Sequence, residues 1–219
     1  MRYTHIIWDF NGTILDDVSI GIEAINSLLS KRNLPTIDSV ERYRELFCFP
    51  IKEYYLKCGF DFSVDDYEQV LAPEWVDEYN RLEQKAHICK GVAEALEKLH
   101  NFGYRQSIVS ASSSNMLSSQ IGRLGIGKYF SYIVGCDNFY AYGKCDICTQ
   151  FVNSHPDESF LLVGDSTHDY EVASAAGIDC VLICQGHMDR YQLENCSCKI
   201  FDDASELLKY ILKTDGVDR

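Results

Sequence analysis

The run Asp9-Phe10-Asn11-Gly12-Thr13 follows directly on the apolar stretch Ile6-Ile7-Trp8. A carboxylate at the end of a buried strand, turned away by Gly-Thr, is a common way to present a phosphoryl-transfer nucleophile. Matching groups recur further along: Ser110 directly after Ile108-Val109, Lys144 after Gly143, and two carboxylates in Gly164-Asp165-Ser166-Thr167-His168-Asp169. A phosphate ester is anionic and repels a carboxylate nucleophile. A Mg²⁺ ion would offset that repulsion, and it takes oxygen ligands while keeping several waters. The expected ligands are Asp9 and Asp165 directly, Asp169 directly or through water, and Asn11 through its backbone carbonyl. The Ser110 hydroxyl, with backbone groups nearby at Ala111 and in the Gly12-Thr13 turn, is expected to hold phosphate oxygens. Lys144 is expected to balance the charge that builds up on nucleophile and phosphate.

The elements needed to bring these groups together can be read from periodicity. Strands are expected at Thr4–Trp8, Gln106–Val109, Tyr132–Val134, Phe160–Val163 and Val181–Ile183, with a short one near Lys199-Ile200. Helices are expected between them, among them 91–102, 146–153, 169–176 and 204–212. Strand–helix alternation implies a parallel sheet covered on both faces, a Rossmann-like α/β core. Ligands of such sheets bind beyond the carboxyl ends of the strands, where Asp9, Ser110 and Asp165 all fall. Residues 17–86 break the alternation: apolar positions recur at helical spacing and no strand is evident. The expected organisation is therefore a core of 1–16 and 87–219 with an inserted all-helical unit at 17–86.

Bulk composition narrows the partners. The chain has 219 residues and a formal net charge of -13. Such a surface repels nucleic acid and anionic membranes, so neither is an expected partner. No apolar stretch reaches membrane-spanning length. The N-terminus leads straight into a strand-like run, so no signal peptide is expected and the chain is read as cytoplasmic. Its ten cysteines are then reduced thiols in packing roles. The Cys145/Cys148 and Cys196/Cys198 pairs resemble a four-thiolate metal site only weakly, since the second pair is separated by a single residue. Oligomeric state is left open.

Taken together, the four motifs resemble those of the haloacid dehalogenase-like hydrolase superfamily, in the branch close to phosphoglycolate phosphatase. The segment from Asp169 to Gly177 resembles the family's run after the last motif, and the helical insert has the size and place of the family's mobile cap. The resemblance implies a three-layer α/β core, Mg²⁺ dependence, an aspartyl-phosphate on Asp9 and a cap closing over a small phosphorylated metabolite. One letter departs from it. Family phosphatases carry aspartate two residues after the nucleophile, as acid and base, where this chain has Asn11. Asparagine cannot transfer protons near neutral pH, and losing that assistance costs about 10²–10⁴-fold in rate, most for poor leaving groups. The expected activity is thus a slow or specialised phosphatase. The alternatives are a catalytically weakened phosphate binder and a phosphonoacetaldehyde hydrolase-like enzyme, which would need a cap lysine such as Lys31, Lys52 or Lys57.

Several residues have plainer readings. Ser112 competes with Ser110, and Lys128 with Lys144, although Lys128 lies before a strand and hence at the wrong edge. Asp169, Asp16 and Asp17 are expected as helix caps, His168 as a turn residue and His187 as exposed. Arg44, Phe47, Phe49 and Lys52 lie where related caps contact substrate, but aromatic residues at helical spacing more often form core.

Overall fold

The computed structural model describes residues 2–136, 143–214 and 216. Six parallel strands form the central sheet: β1 (His5–Trp8), β4 (Arg105–Val109), β5 (Tyr132–Val134), β6 (Phe160–Gly164), β7 (Asp179–Ile183) and β8 (Lys199–Phe201). Their order is β5-β4-β1-β6-β7-β8. The chain leaves β1 towards β4 and β5, then crosses back to β6 on the other side. The switch lies at β1 and β6, the position where open α/β sheets bind their ligands.

The side-chain period of two explains the three layers. Ile6 and Trp8 of β1, with Leu161 and Val163 of β6, pack against α5 (Val92–Asn101), α6 (Ser114–Leu124) and α10 (Ala204–Thr214). Ile7 and Leu162 point the other way, onto α7 (Lys144–Asn153) and α8 (Thr167–Ala176). Strand β1 is buried along its whole length. That is why it reads as a continuous apolar run rather than as alternation.

Between β1 and α5 the chain is helical: α1 (Val18–Lys31), α2 (Val40–Leu46), α3 (Ile51–Cys58), a π-helical turn at Tyr67–Leu71 and α4 (Ala72–Leu82). Two short strands flank this stretch, β2 (Leu15–Asp16) and β3 (His87–Ile88), paired antiparallel. Sequence periodicity cannot find them, because two residues contain no period. The helices share a second apolar cluster with Leu182, Met188, Leu193 and Cys196 of the sheet side. The last short helix, α9 (Arg190–Leu193), likewise leaves no periodic signal. Four residues are too few for a helical stripe, and it is fixed instead by the Asp189–Gln192 capping box.

Candidate active site

The sheet delivers the expected groups to one edge. Asp9 follows β1, its N–H donating to Val163 O of β6 at 2.8 Å. Ser110 follows β4, Asp165 follows β6, and all three are buried. Lys144 opens α7 and is also buried. Its Nζ donates to Asp9 Oδ1 at 2.5 Å and to Asp169 Oδ1 at 2.6 Å. Asp165 completes the group: Asp9, Asp165 and Asp169 offer carboxylate oxygens that all lie within 4.8 Å of one another. Only oxygens are offered, the donor set a hard divalent cation takes.

The ionisable groups of the site shift one another strongly. Burial raises the Asp9 carboxyl to about 6, against the lowering effect of the Lys144 charge. Burial also raises Asp165 to about 7, offset in part by His187 and reinforced by the charges of Asp169 and Asp9. Asp169 is pulled below the usual carboxylate range: burial opposes this, but the Lys144 ammonium and the Ser166 hydroxyl outweigh it. One ammonium among three buried carboxylates leaves the site a cation short.

The loops hold these carboxylates by close approach. Gly12 has φ 74°, and a Cβ there would lie 2.3 Å from Asp165 Oδ2. A Cβ on Gly186 would lie 2.1 Å from the same oxygen. Both glycines leave room for Asp165, whose Oδ2 accepts from His187 N–H at 2.7 Å. Gly12 and Thr13, expected to contact phosphate, have their backbone N–H groups engaged within the turn. Gly12 N–H donates to Leu15 O and to Asp17 Oδ1, each at 2.9 Å, and Thr13 N–H to Phe10 O at 3.3 Å. The Thr13 hydroxyl reaches Asp9 Oδ2 at 3.3 Å and Asp165 Oδ1 at 3.1 Å. The turn thus holds two of the three carboxylates through the Thr13 hydroxyl.

Asn11 is held on every side. Its Nδ2 donates to Asp17 Oδ2 at 2.7 Å and to Tyr79 Oη at 2.9 Å, and its Oδ1 accepts from Ser112 Oγ at 2.8 Å. Asp17 occupies the N-cap position of α1, but its side chain makes no capping bond. It accepts instead from Asn11, Gly12 N–H, Tyr79 Oη at 2.7 Å and, across an ion pair of 3.3 Å, His187 Nε2. Burial lowers the His187 pKa, but Asp17, Asp165 and Asp9 outweigh it and carry the imidazole up to about 9.

Above the acidic group lies a cavity of about 220 Å³. Asp9, Asn11, Ser110, Ala111, Lys144, Asp165 and Asp169 line its floor; aromatic side chains from α2, α3 and α4 line much of the rest, with Met116, His168 and His187.

A family model described as haloacid dehalogenase-like hydrolase matches residues 6–183. The chain belongs to the haloacid dehalogenase-like hydrolase family. It is 28% identical over 218 residues to a phosphoglycolate phosphatase of Pseudomonas fluorescens, covering 95% of this chain and 80% of the relative. Among solved structures, a haloacid dehalogenase-like family hydrolase from Streptococcus pneumoniae superposes with TM-score 0.76 at 22% identity, covering 96% of this chain and 99% of that one. Protein tyrosine kinase A of Mycobacterium tuberculosis superposes with TM-score 0.79 at 19% identity, covering 95% and 97%. At such identities the likeness is one of fold, and these names cover more than one activity.

Measured against the family's motifs, Asp9, Ser110, Lys144, Asp165 and Asp169 converge on one site, while Lys128 sits on a separate 3₁₀ turn, Gly127–Tyr129. Four plainer readings are corrected. Asp169 is not the N-cap of α8 but its N3 residue, in a capping box with Ser166. Asp17 faces the site. His187 is largely buried, its side chain 13% exposed, stacked on Phe47 at 5.0 Å, hydrogen-bonded to Tyr43 Oη at 2.9 Å and paired with Asp17. His168 belongs to α8 and stacks on Phe49 at 4.7 Å. Phe47 and Phe49 line the cavity, whereas Arg44 donates to the carbonyls of Gly186 and Gln185 and Lys52 pairs with Glu68. The cysteines are free, and among the described residues the aspartate trio is the one cluster of such side chains placed to hold a metal. No helix among the described residues is long and apolar enough to cross a membrane.

Proposed function

We propose that this hydrolase is a Mg²⁺-dependent phosphatase of small phosphorylated metabolites, working through an aspartyl-phosphate on Asp9. The observation that carries the reading is the pair of hydrogen bonds that Lys144 Nζ donates to Asp9 and Asp169, at 2.5 and 2.6 Å, beside Asp165. When bound, Mg²⁺ offsets the repulsion between these carboxylates and an incoming phosphate. Asp9, Asp165, Asp169 and the Asn11 backbone carbonyl would hold it.

The protein groups then divide the work. Asp9 attacks phosphorus, the ester oxygen departs, and water cleaves the resulting acyl phosphate. Lys144 stays close to Asp9 and balances charge as the phosphoryl group transfers. The Ser110 hydroxyl and Ala111 N–H hold phosphate oxygens. The helical unit 17–86 acts as a cap over a core of 1–16 and 87–219, since its aromatic residues roof the cavity. Relatives named phosphoglycolate phosphatase support a small phosphate ester as substrate. Free thiols throughout are in keeping with a reducing compartment such as the cytoplasm.

A second reading, a weakened phosphate-binding protein, draws on Asn11. Both of its donors are engaged, by Asp17 and Tyr79, and an amide has no acidic proton to give. A phosphonoacetaldehyde hydrolase-like activity is less favoured, because Lys31, Lys52 and Lys57 are absent from the cavity lining. Acetyl phosphate hydrolysis with and without Mg²⁺ separates these readings, since its leaving group needs no proton. The expected result is Mg²⁺-dependent turnover that Asp9→Ala abolishes. Turnover unchanged in Asp9→Ala sinks the covalent mechanism, and phosphate binding without any turnover favours the binder.

A further inference from the structure

Among the described residues, the cavity's roof is largely aromatic and carries no lysine or arginine. Tyr43 and Phe47 of the α2 region, Tyr54 and Tyr55 of α3, and Trp75 and Tyr79 of α4 all line it. Their rings pack on one another: Tyr43 lies 5.8 Å from Tyr54, Phe47 5.3 Å from Tyr54, and Trp75 stacks on Tyr79 at 4.9 Å. Among the described residues Lys144 is the one lysine of the lining and no arginine joins it, and its ammonium is spent on Asp9 and Asp169. The imidazole of His187 is paired with Asp17. A substrate bearing a second carboxylate would meet aromatic faces and the Asp17 carboxylate there, with no further lysine or arginine among the described residues to receive it. Only Tyr54 Oη and His168 Nε2, both able to stay neutral, are unpartnered buried polar atoms of the described lining. Burying an unpaired charge costs several kcal/mol.

The floor of the cavity makes an independent demand. Asn11 stands where a proton donor to the leaving oxygen is needed, and it has no proton to give. A leaving group that departs as a stable anion does not need one. Phenols ionise near pH 10, as tyrosine does, far below alkyl alcohols. The roof asks for a flat apolar ring and the floor for an acidic leaving oxygen, and one chemical class supplies both.

Resting on the phosphatase reading above, we infer that the substrate is a small aryl phosphate, a monoester of a phenol, rather than a phosphorylated hydroxy acid. Asp9 attacks phosphorus, and the P–O bond to the ring oxygen breaks with its electron pair leaving on the phenolate. Water then attacks the aspartyl-phosphate, giving dihydrogen phosphate and the Asp9 carboxylate. The ring remains under Phe47 and Trp75 while the phosphoryl group lies between Ser110 and Lys144.

The test uses the wild-type protein with Mg²⁺ and three non-hydrolysable competitors of acetyl phosphate turnover: phenylphosphonate, methylphosphonate and phosphonoacetate. A ring well stacked in the roof should lower the inhibition constant about tenfold or more against the methyl compound, or ~1.4 kcal/mol. Quenching of Trp75 fluorescence by phenylphosphonate provides a second readout that does not depend on turnover. The expected order is phenylphosphonate tightest, with phosphonoacetate no tighter than methylphosphonate. If phosphonoacetate binds best, or all three bind alike, the aryl inference falls while the phosphatase reading stands. Loss of both acetyl phosphate turnover and phosphonate binding overturns the phosphatase reading, and this inference with it.

Discussion

Asn11 Nδ2 donates to Asp17 Oδ2 across 2.7 Å, in a pocket where Asp17 is buried. This contact supplies a physical reason for the asparagine. A carboxylate at position 11 would face the Asp17 carboxylate at hydrogen-bonding distance, and two such groups cannot both stay ionised. Replacing Asn11→Asp is therefore expected to destabilise the protein, by about 2 kcal/mol for a lost hydrogen bond to a charged group. It should also yield less activity than the family comparison suggests. The double change Asn11→Asp/Asp17→Asn restores one donor and one acceptor. It should recover the stability and raise turnover of an alkyl phosphate by about 10²–10⁴-fold over wild type. Urea melts and steady-state rates on glycerol phosphate check this. A single variant as stable and as fast as the double one contradicts the account.

Lys144 is the single ammonium among Asp9, Asp165 and Asp169. Replacing it with methionine keeps the bulk and strands those carboxylates. Breaking a buried pair in this way typically costs about 3–5 kcal/mol. Lys144→Met should lower the urea midpoint accordingly, and added Mg²⁺ should recover part of the loss, because the ion supplies the missing charge. A midpoint that does not move would mean the carboxylates are protonated or solvated at working pH.

The carboxyls of Asp9 and Asp165 are raised to about 6 and 7, and His187 to about 9. A folded state that binds protons more tightly than the unfolded chain is favoured at low pH. The Asp9 and Asp165 contributions are lost as pH rises through about 6 and 7, and that of His187 as it rises through about 9. Asp17 and Asp169 have the opposite sign, since they are depressed, and their contribution fades only in acid. Metal-free protein should thus lose thermal stability from pH 5 to pH 8. Mg²⁺ should raise the melting temperature more at pH 8 than at pH 5, where protons compete for the same oxygens. A metal-induced shift independent of pH would contradict the proposed ligand set.

The core and the acidic group were legible in the sequence because their signals are local. Apolar runs such as Ile6-Ile7-Trp8 mark buried strands, and a polar residue just after each run marks the sheet edge. What escaped was set by contacts distant in sequence. Asp17 reads as a helix cap, yet its side chain answers to His187 and Tyr79, far along the chain. His187 follows a glycine and reads as exposed, and nothing local announces the carboxylates around it. The aromatic roof reads as helical core from spacing alone, since a stripe facing a cavity has the same period as one facing a neighbouring helix.

Gly186 carries information that composition does not reveal. A Cβ there would lie 2.1 Å from Asp165 Oδ2 and 2.5 Å from Asp165 Cγ. Asp165 also accepts from the next N–H, that of His187. Gly186→Ala therefore has to push the carboxylate off its position, while the strands beneath, β6 and β7, keep their packing. The expected result is a folded protein, with a far-ultraviolet spectrum like wild type, whose Mg²⁺ affinity has dropped about 10–100-fold, the range seen when partners that orient metal ligands are disturbed. Titrating acetyl phosphate turnover with Mg²⁺, together with the metal-induced rise in melting temperature, measures this in two ways. Unchanged Mg²⁺ dependence by both would remove Asp165 from the proposed ligands. A loss of fold would mean that the loop, and not only the carboxylate, depends on the missing side chain.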